Sequence, residues 1–459
     1  MLRLGIRFKQ LLLVTGDLII FQVALLLTLL LRYGHVEQRY WDLHEIPFGV
    51  VSTLWIVGSY VEGLYDFNVL KNGIKFFRLY LEGMIANLAV ALAFFYLIPI
   101  FGIEPRTNLF LYFAIVLLLG YGWRLGYNRL IAHTLFRNRV LFIGSGMDAA
   151  KIRTMLERSA FGFHLVAVFE TTPNSRFEDP EVAWYSSLGD IEKIIRERDI
   201  HTILLGHKPD DIPGLRDALY KTLFLPVTLL DRTALEETIT GRIPLEYVSQ
   251  TWFLEHLREN EKAWYEMAKR IGDILMAIPF GIITLILYPI VALIIKVSSP
   301  GPALYSQIRL GKFGKQFRIW KFRTMHVNAE ENGPQFTADA KTDPRLFAAG
   351  RVLRRLRLDE FPQIWNVLRG NLSFIGPRPE RPEFVEQLTE RMPYYSLRHL
   401  TRPGLTGWAQ VRFLTPTASL EDNLKKLQYD VYYIKHRSPL LDIAILLKTI
   451  AIVIRRQGT

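Results

Sequence analysis

Four runs of apolar residues crowd the first 131 positions: 11–31 (LLLVTGDLIIFQVALLLTLLL), 46–64, 80–101 and 109–131. A helix rises 1.5 Å per residue, so ~20 apolar residues cover the hydrocarbon layer, and each run comes close to that length. The pattern predicts four membrane helices. The first run is too long for a signal-peptide core and lacks a small-residue cleavage site, so it is expected to remain as a span. Basic residues mark alternate flanks. Arg3, Arg7 and Lys9 precede the first run, Lys71, Lys75 and Arg78 separate the second from the third, and Arg137 and Arg139 follow the fourth. The intervening loops hold Arg32 and Arg39, then Arg106 alone. The positive-inside bias therefore predicts that the N-terminus and everything after residue 132 face the cytoplasm.

From NRVLFIGSGMDAAKIRTML onward the pattern changes to alternating strands and helices: a strand at 140–143, a helix at 147–158, and strands at 165–170, 202–206 and 226–230. This predicts a Rossmann-like α/β domain with a mostly parallel sheet over 137–235. Gly144-Ser-Gly146-Met-Asp-Ala149 follows the first strand and opens the helix, and Glu170 ends the next strand, which is the context of a dinucleotide fingerprint. Asp148 puts a negative charge where phosphate would lie, so an empty or regulatory site competes with that reading. Tyr265-Glu-Met-Ala-Lys269 spells the Y-x-x-x-K proton-transfer pair of short-chain dehydrogenases. The two features together allow a membrane-anchored NAD-dependent nucleotide-sugar epimerase or dehydratase. Lys269 is equally explained as a snorkelling residue at the edge of an apolar run.

That run, 271–297, is basic at both ends: Lys269 and Arg270 precede it, and Arg309, Lys312, Lys315, Arg318, Lys321 and Arg323 follow. Both flanks prefer the cytoplasmic side, which a straight span cannot satisfy. Pro279 and Pro289 each remove a backbone donor and can kink a helix. A re-entrant helix hairpin over 269–297 reconciles charge with hydrophobicity, against an ordinary fifth span. Residues 262–459 hold 30 Lys and Arg against 16 Asp and Glu, whereas the preceding residues hold 26 against 28. The positive field suits lipid headgroups, phosphate-rich small molecules or nucleic acid. The absence of cysteine excludes disulfides, thiolate zinc sites and a cysteine nucleophile. The stretch LLDIAILLKTIAIVIRR near 440–456 is too short and too charged to span and predicts an amphipathic helix lying on the membrane face.

Within this basic region, LRLDEFPQIWNVLRG (356–370) pairs Asp359 with Glu360. Leu353, Leu356, Phe361, Ile364, Trp365 and Leu368 follow helical spacing, and Pro362 suits a first turn, so both carboxylates are expected just before a helix N-terminus. Helix capping is the simple reading of such a pair. Arg351, Arg354, Arg355, Arg357 and Arg369 surround it, and the rigid Pro377-Arg378-Pro379 lies shortly beyond. Arginine's planar fork suits phosphate oxygens, and Mg²⁺ naturally bridges carboxylates and phosphates. The alternative is thus phosphoryl chemistry on a diphosphate with a lipid acceptor.

Residues 262–459 closely resemble the monotopic phosphoglycosyl transferases, bacterial sugar transferases that move a sugar-1-phosphate from a nucleotide sugar onto polyprenyl phosphate. The resemblance rests on KRIGD (269–273), SSPGPALYSQIRLGKFGKQFRIWKFRTM (298–325), DPR (343–345), LDEFPQIWNVLRGNLSFIGPRP (358–379), RPGLTGWAQV (402–411) and YDVYYIKHRSPLLD (429–442). Four helices and a degenerate Rossmann-like domain upstream resemble the large subclass, whose members begin capsule, exopolysaccharide and O-antigen units. The resemblance implies that Asp359 is the nucleophile and that Glu360 assists Mg²⁺ and the lipid-phosphate step, both carboxylates being metal ligands. It implies that Arg378, within Pro377 and Pro379, grips the nucleotide sugar, and that Arg309, Lys321, Arg323 and Arg357 bind substrate. Lys269, Arg270 and Asp273 would anchor the re-entrant helix, with Pro279 or Pro289 at its bend.

The expected architecture is a multi-domain membrane protein: a transmembrane bundle (1–136), the Rossmann-like α/β domain (137–235), a linker (236–261), and a mixed, mainly α catalytic domain (262–459). Expected partners are a UDP-sugar, undecaprenyl phosphate, membrane lipids and a possible homodimer mate, with no nucleic acid. The expected location is the bacterial inner membrane, with the catalytic domain on its cytoplasmic face. The departures are Phe361, where the family's dyad context has Leu, and Ile278-Pro279 and Tyr288-Pro289 in place of the usual Ser-Pro break.

Overall fold

The computed structural model describes residues 2–65, 73–98, 106–132, 138–158, 162–171, 179–187, 191–257, 262–329, 343–414, 417 and 419–454. The flanking residues Lys71 and Arg137 lie outside them, as do the side chains of Arg3, Arg7, Lys9, Lys75 and Arg106. The chain forms two compact units, Met1–Ile239 and Thr240–Thr459.

The first unit opens with α1 (Leu2–Tyr33), α2 (Gln38–Val61), α3 (Ile74–Leu97) and α4 (Arg106–Ala132). Helix α1 packs on α4 and α2, α2 on α3, and α3 on α4, which closes a four-helix bundle. Its centre holds the fully buried Phe48, Trp55 and Tyr112, while Leu11, Ile19, Ile85 and Leu118 point outward. Polar side chains join the helices: Arg124 pairs with Asp17 at 2.6 Å, Tyr65 donates to the same carboxylate, and Trp55 donates to the Asn87 carbonyl. Such bonds hold helices together where lipid offers no hydrophobic drive between them. Helices α1, α3 and α4 contain windows long and apolar enough to cross a membrane. Helix α2 is 24 residues long, but its first turns carry Arg39, Asp42 and Glu45, so only the stretch from Ile46 to Val61 is apolar. The expected second span is correspondingly short, and its charged end lengthens the helix beyond the apolar run.

The same unit continues with β1 (Asn138–Gly144), α5 (Gly146–Arg158), β2 (Phe163–Glu170), β3 (Ala183–Tyr185), α6 (Ile191–Glu197), β4 (Thr202–Leu205), α7 (Leu215–Lys221), β5 (Thr228–Asp231) and α8 (Arg232–Thr240). All pairings are parallel in the order β3-β2-β1-β4-β5, a doubly wound sheet. Strands β1 and β4 are buried nearly throughout, as sheets covered on both faces require. The Rossmann-like reading holds at the level of topology.

In the turn between β1 and α5, the Arg232 guanidinium lies 2.7 Å from Asp148, whose other oxygen accepts from Ser145. Burial would raise the Asp148 carboxyl, but hydrogen bonds from Arg232 and Ser145 outweigh it and hold it below the usual range. An internal cation thus sits by the turn that would otherwise hold a phosphate. We expect Asp148→Ala to lower the thermal stability of this domain by about 2 kcal/mol, the scale of a lost charged hydrogen bond. Thermal unfolding followed by circular dichroism checks it.

The second unit begins earlier than the sequence suggests. Residues 240–257, expected as a linker, pack on it: Ile243 N–H donates to the Gln428 carbonyl, Trp408 donates to the Gly241 carbonyl, and the ring of Phe253, in α9 (Gln250–His256), meets that of Tyr394 at a tilt. Ile243, Leu245 and Phe253 share one core with Tyr395, Leu427 and Val431. The unit then runs through α10 (Ala263–Ser298), a β6 (Leu304–Leu310)/β7 (Gln316–Phe322) hairpin, α11 (Ala348–Arg355), a 3₁₀ turn (Leu358–Gln363), α12 (Ile364–Arg369), β8 (Ser373–Ile375), α13 (Pro382–Arg391), a second 3₁₀ turn (Tyr395–Leu400), β9 (Gly404–Thr406), α14 (Trp408–Arg412), α15 (Leu420–His436) and α16 (Pro439–Ile454). Strands β8 and β9 pair in parallel.

Helix α10 is 36 residues long, and helical conformation persists across Pro279 and Pro289. Its buried residues, Tyr265, Asp273, Ala277, Gly281, Thr284, Val291 and Ile295, recur at helical spacing and form one stripe. They pack on this same unit along its length: Asp273 accepts from the Ser373 hydroxyl and the Phe374 N–H, Gly281 lies against Ile364, and Tyr288, beside the stripe, meets the Phe322 ring. The opposite face exposes Leu275, Ile282, Ile286, Ile290, Leu293 and Val297.

Candidate active site

Strand alternation sets the first wall of the site. In β7, Phe317 and Ile319 are buried, and period-two geometry carries Lys321 to their face. Asn366 of α12 locks the strand in place: its amide nitrogen donates to the Arg318 carbonyl at 2.7 Å and its amide oxygen accepts from the Trp320 N–H at 3.2 Å. A side chain thus substitutes for a neighbouring strand. We expect Asn366→Ala, which strands both backbone groups, to cost about 2 kcal/mol of stability. A thermal shift of several degrees in detergent-purified protein would show it.

Asp359 and Glu360 lie inside the 3₁₀ turn rather than ahead of it. The turn is entered through Arg357 at φ 54°, a left-handed conformation that costs a non-glycine residue about 1–2 kcal/mol. With three residues per turn, Leu358 and Phe361 eclipse and pack together into the core with Leu353 and Ile295, while Asp359 and Glu360 diverge from them. Neither carboxylate holds an N-cap position: Arg357 holds that of the 3₁₀ turn and Gln363 that of α12, and the two acids lie within the first turn of the 3₁₀ segment. The capping reading of the pair is set aside.

The two acids have different surroundings. Glu360 accepts from Lys321 and from Arg378, both at 3.1 Å, and lies 3.9 Å from Arg357. Burial opposes its ionisation, but Lys321, Arg378 and Arg357 outweigh that and hold its carboxyl far below the usual range. Asp359 is buried, and among the described residues no group donates a hydrogen bond to it. Burial and then the Glu360 charge push its carboxyl up to about 6, against the pull of Lys321, Arg354 and Arg378. One acid is an anion fixed by hydrogen bonds from cations, and the other, with no such bond among the described residues, keeps its proton up to about 6.

The loop that presents Arg378 leaves β8 through Gly376, where backbones meet so closely that a Cβ would overlap the Arg402 carbonyl. The opposing Gly404 has no room for a Cβ either, which explains glycine in both motifs. Helix α12, which follows the dyad, ends in Gly370 at φ 84°, and Arg270 caps it by donating to the Val367 and Leu368 carbonyls at 2.6 and 2.8 Å.

The structure therefore brings together Asp359, Glu360, Lys321, Arg357 and Arg378, with Arg354 close enough to act on Asp359. Of the other two arginines expected to bind substrate, Arg309 lies against the loop that presents Arg378 and Arg323 lies at the end of α10. Arg309 donates to the Pro379 carbonyl and to Gln307, and Arg323 is buried with its guanidinium on the Ser299 and Pro300 carbonyls, where α10 ends. Both serve backbone carbonyls. Arg351, Arg355 and Arg369 are exposed, as are Leu356 and Trp365, so the expected arginine ring reduces to a few members. Lys269 and Tyr265, the short-chain-dehydrogenase-like pair, both bond Asp442 (2.7 and 2.8 Å), which also accepts from Tyr433. They tie α10 to α16. Asn366, Arg398, Asp430 and Asp442 had no local signal in the sequence, since each acts on a partner far along the chain.

Among the described residues no group of three or more histidine or acidic side chains is placed to hold a metal. Two adjacent carboxylates nevertheless suit Mg²⁺, which takes one or two protein carboxylates and completes its shell with phosphate and water.

Residues 264–456 match the bacterial sugar transferase family, and residues 61–208 match a CoA-binding domain family. The chain is 41% identical over 230 residues to a UDP-N-acetylgalactosamine-undecaprenyl-phosphate N-acetylgalactosaminephosphotransferase of Aeromonas hydrophila, covering 49% of this chain and 52% of that protein. It is 28% identical over 446 residues to a UDP-glucose:undecaprenyl-phosphate glucose-1-phosphate transferase of Klebsiella pneumoniae, covering 90% of each. With the protein of the same description from Caulobacter vibrioides it shares 40% identity over 189 residues, which are 40% of this chain and 69% of that one. The match thus spans about half the length of the Aeromonas relative and nearly all of the Klebsiella one.

Proposed function

The chain belongs to the bacterial sugar transferase family, and from that premise we propose that it transfers a sugar-1-phosphate from a UDP-sugar to undecaprenyl phosphate, releasing UMP. The observation that carries the reading is the division of labour in the dyad: Glu360 fixed among Lys321 and Arg378, Asp359 buried and, among the described residues, without a hydrogen-bond donor.

An Asp359 oxygen attacks the sugar-bearing phosphorus. The bond from that phosphorus to the bridging oxygen breaks, and UMP leaves with the oxygen and its electron pair. The phosphosugar stays on Asp359 as an acyl phosphate. A phosphate oxygen of undecaprenyl phosphate then attacks the same phosphorus, and the electron pair of the breaking bond returns to the carboxylate. Arg378 and Lys321 lie where they can neutralise the diphosphate that a carboxylate would otherwise repel. Mg²⁺ held by Asp359 and Glu360 would supply further neutralisation of phosphate charge. The sugar is proposed to be a hexose, because the relative aligned over nine-tenths of both chains is named for glucose.

We place the protein in the bacterial inner membrane with its dyad on the cytoplasmic side, where the basic flanks prefer to lie. Helix α10, by length and composition able to cross a membrane, is proposed instead to dip into one leaflet and return: its buried stripe packs on its own unit from Tyr265 to Ile295, its outer face is apolar, and both its flanks are basic. The process served is the first membrane step of capsule, exopolysaccharide or O-antigen assembly. Purified protein should release UMP from one UDP-sugar in a panel, with sustained turnover only when undecaprenyl phosphate is present. Tightly bound NAD and no UMP would instead favour the epimerase or dehydratase.

A further inference from the structure

The Pro377-Arg378-Pro379-Glu380 loop has all four of its carbonyls occupied. The Gly404 N–H donates to Pro377 at 2.9 Å, Arg398 to Arg378 at 3.0 Å, Arg309 to Pro379 at 3.1 Å, and the Leu310 N–H to Glu380 at 3.1 Å. Two of these donors are backbone groups of β6 and β9. The other two are guanidinium groups, and their surroundings differ.

Arg398 is buried, and the same terminal nitrogen that reaches the Arg378 carbonyl lies 2.9 Å from Asp430, itself buried on α15. Its other nitrogen bonds the Tyr395 hydroxyl and lies 4.0 Å from Glu380. The guanidinium also sits over the Tyr395 ring, 5.0 Å from its centroid. Tyr395 in turn belongs to the core completed by Ile243, Leu245 and Phe253. A rigid fork anchored by a carboxylate, a phenol and a ring thus ends on the backbone of the residue whose side chain grips Glu360. Ordering one residue's backbone costs about 1–2 kcal/mol, and a long side chain such as arginine adds to it. Arg378 is 44% exposed in its side chain, so its own packing does not hold it. Its backbone must be held from behind.

We propose that Arg398, tied to Asp430, is a positioning residue that sets where Arg378 meets the phosphates of the nucleotide sugar. This deepens the transferase reading and rests on it. Arginine is suited to the task and lysine is not, because only a planar fork serves the carbonyl, the carboxylate and the phenol from one group.

The test is a double-mutant cycle on the full chain in detergent, with UDP-glucose and undecaprenyl phosphate as substrates and radiolabelled product as readout. Arg398→Lys is expected to lower kcat/KM about a hundredfold, the cost of displacing a positioning group by about 1 Å. In an Arg378→Ala background the same change is expected to cost less than about threefold, since nothing is left to position. Equal costs in both backgrounds, or no loss in the first, would overturn the proposal, because a purely structural role lowers activity irrespective of residue 378. If Arg398→Lys does not fold, Asp430→Asn, which leaves Arg398 in place without its tie, is put through the same cycle and judged by the same outcomes. Failure of the unaltered chain to act on any UDP-sugar in the panel would instead overturn the transferase reading.

Discussion

Asp359→Asn is expected to abolish transfer, with a loss on the order of 10⁴-fold or more, since an amide cannot form the acyl phosphate. Structural loss is a poor alternative explanation for such a result. Asp359 takes no hydrogen bond from the described residues, so the amide breaks none, and removing a buried charge beside Glu360 relieves repulsion. The variant should therefore be at least as stable as the parent. Quenched incubation of the parent with labelled UDP-sugar and no lipid phosphate should leave label on Asp359, found by peptide mapping. Full activity in the Asn variant would sink the covalent mechanism.

Glu360→Gln is expected to lower kcat/KM by about 10²–10³-fold, a loss comparable with removing one preorganised electrostatic contact. Lys321 and Arg378 would both lose the anion that fixes them. The pH profile separates this from a general defect. In the parent, burial and the Glu360 charge raise Asp359 to about 6, so activity should fall as the pH drops through about 6 and the nucleophile gains a proton. Without the Glu360 charge one raising influence is gone while Lys321, Arg354 and Arg378 remain. The acid limb should therefore move to lower pH. A limb that stays in place would mean that the group titrating near 6 is not Asp359.

The transmembrane and α/β regions were legible because hydropathy and strand-helix alternation are local properties. The dyad was legible as a pair but not as a geometry: read alone it resembles a helix cap, and only the 3₁₀ turn entered through Arg357 separates the two acids. The arginines were the least legible. A sequence counts guanidinium groups but does not say which of them end on backbone carbonyls, as Arg270, Arg309, Arg323 and Arg398 do. The linker reading failed for a related reason. Ile243, Leu245 and Phe253 have no regular period, and their burial depends on Tyr395, Leu427 and Val431 far downstream.

The Asp442 cluster bears on the order in which the protein is made. Lys269 and Tyr265 are separated from Asp442 by 173 and 177 positions, so α10 leaves the ribosome long before its partner exists. Until then the Lys269 ammonium has no carboxylate at the edge of an apolar helix. Such long-range closure is slow and leaves apolar surface open in the meantime. The waiting surface is the inner stripe of α10, opposite the apolar outer face that suits a bilayer, so a membrane would hold one side of the helix while the other side awaits α16.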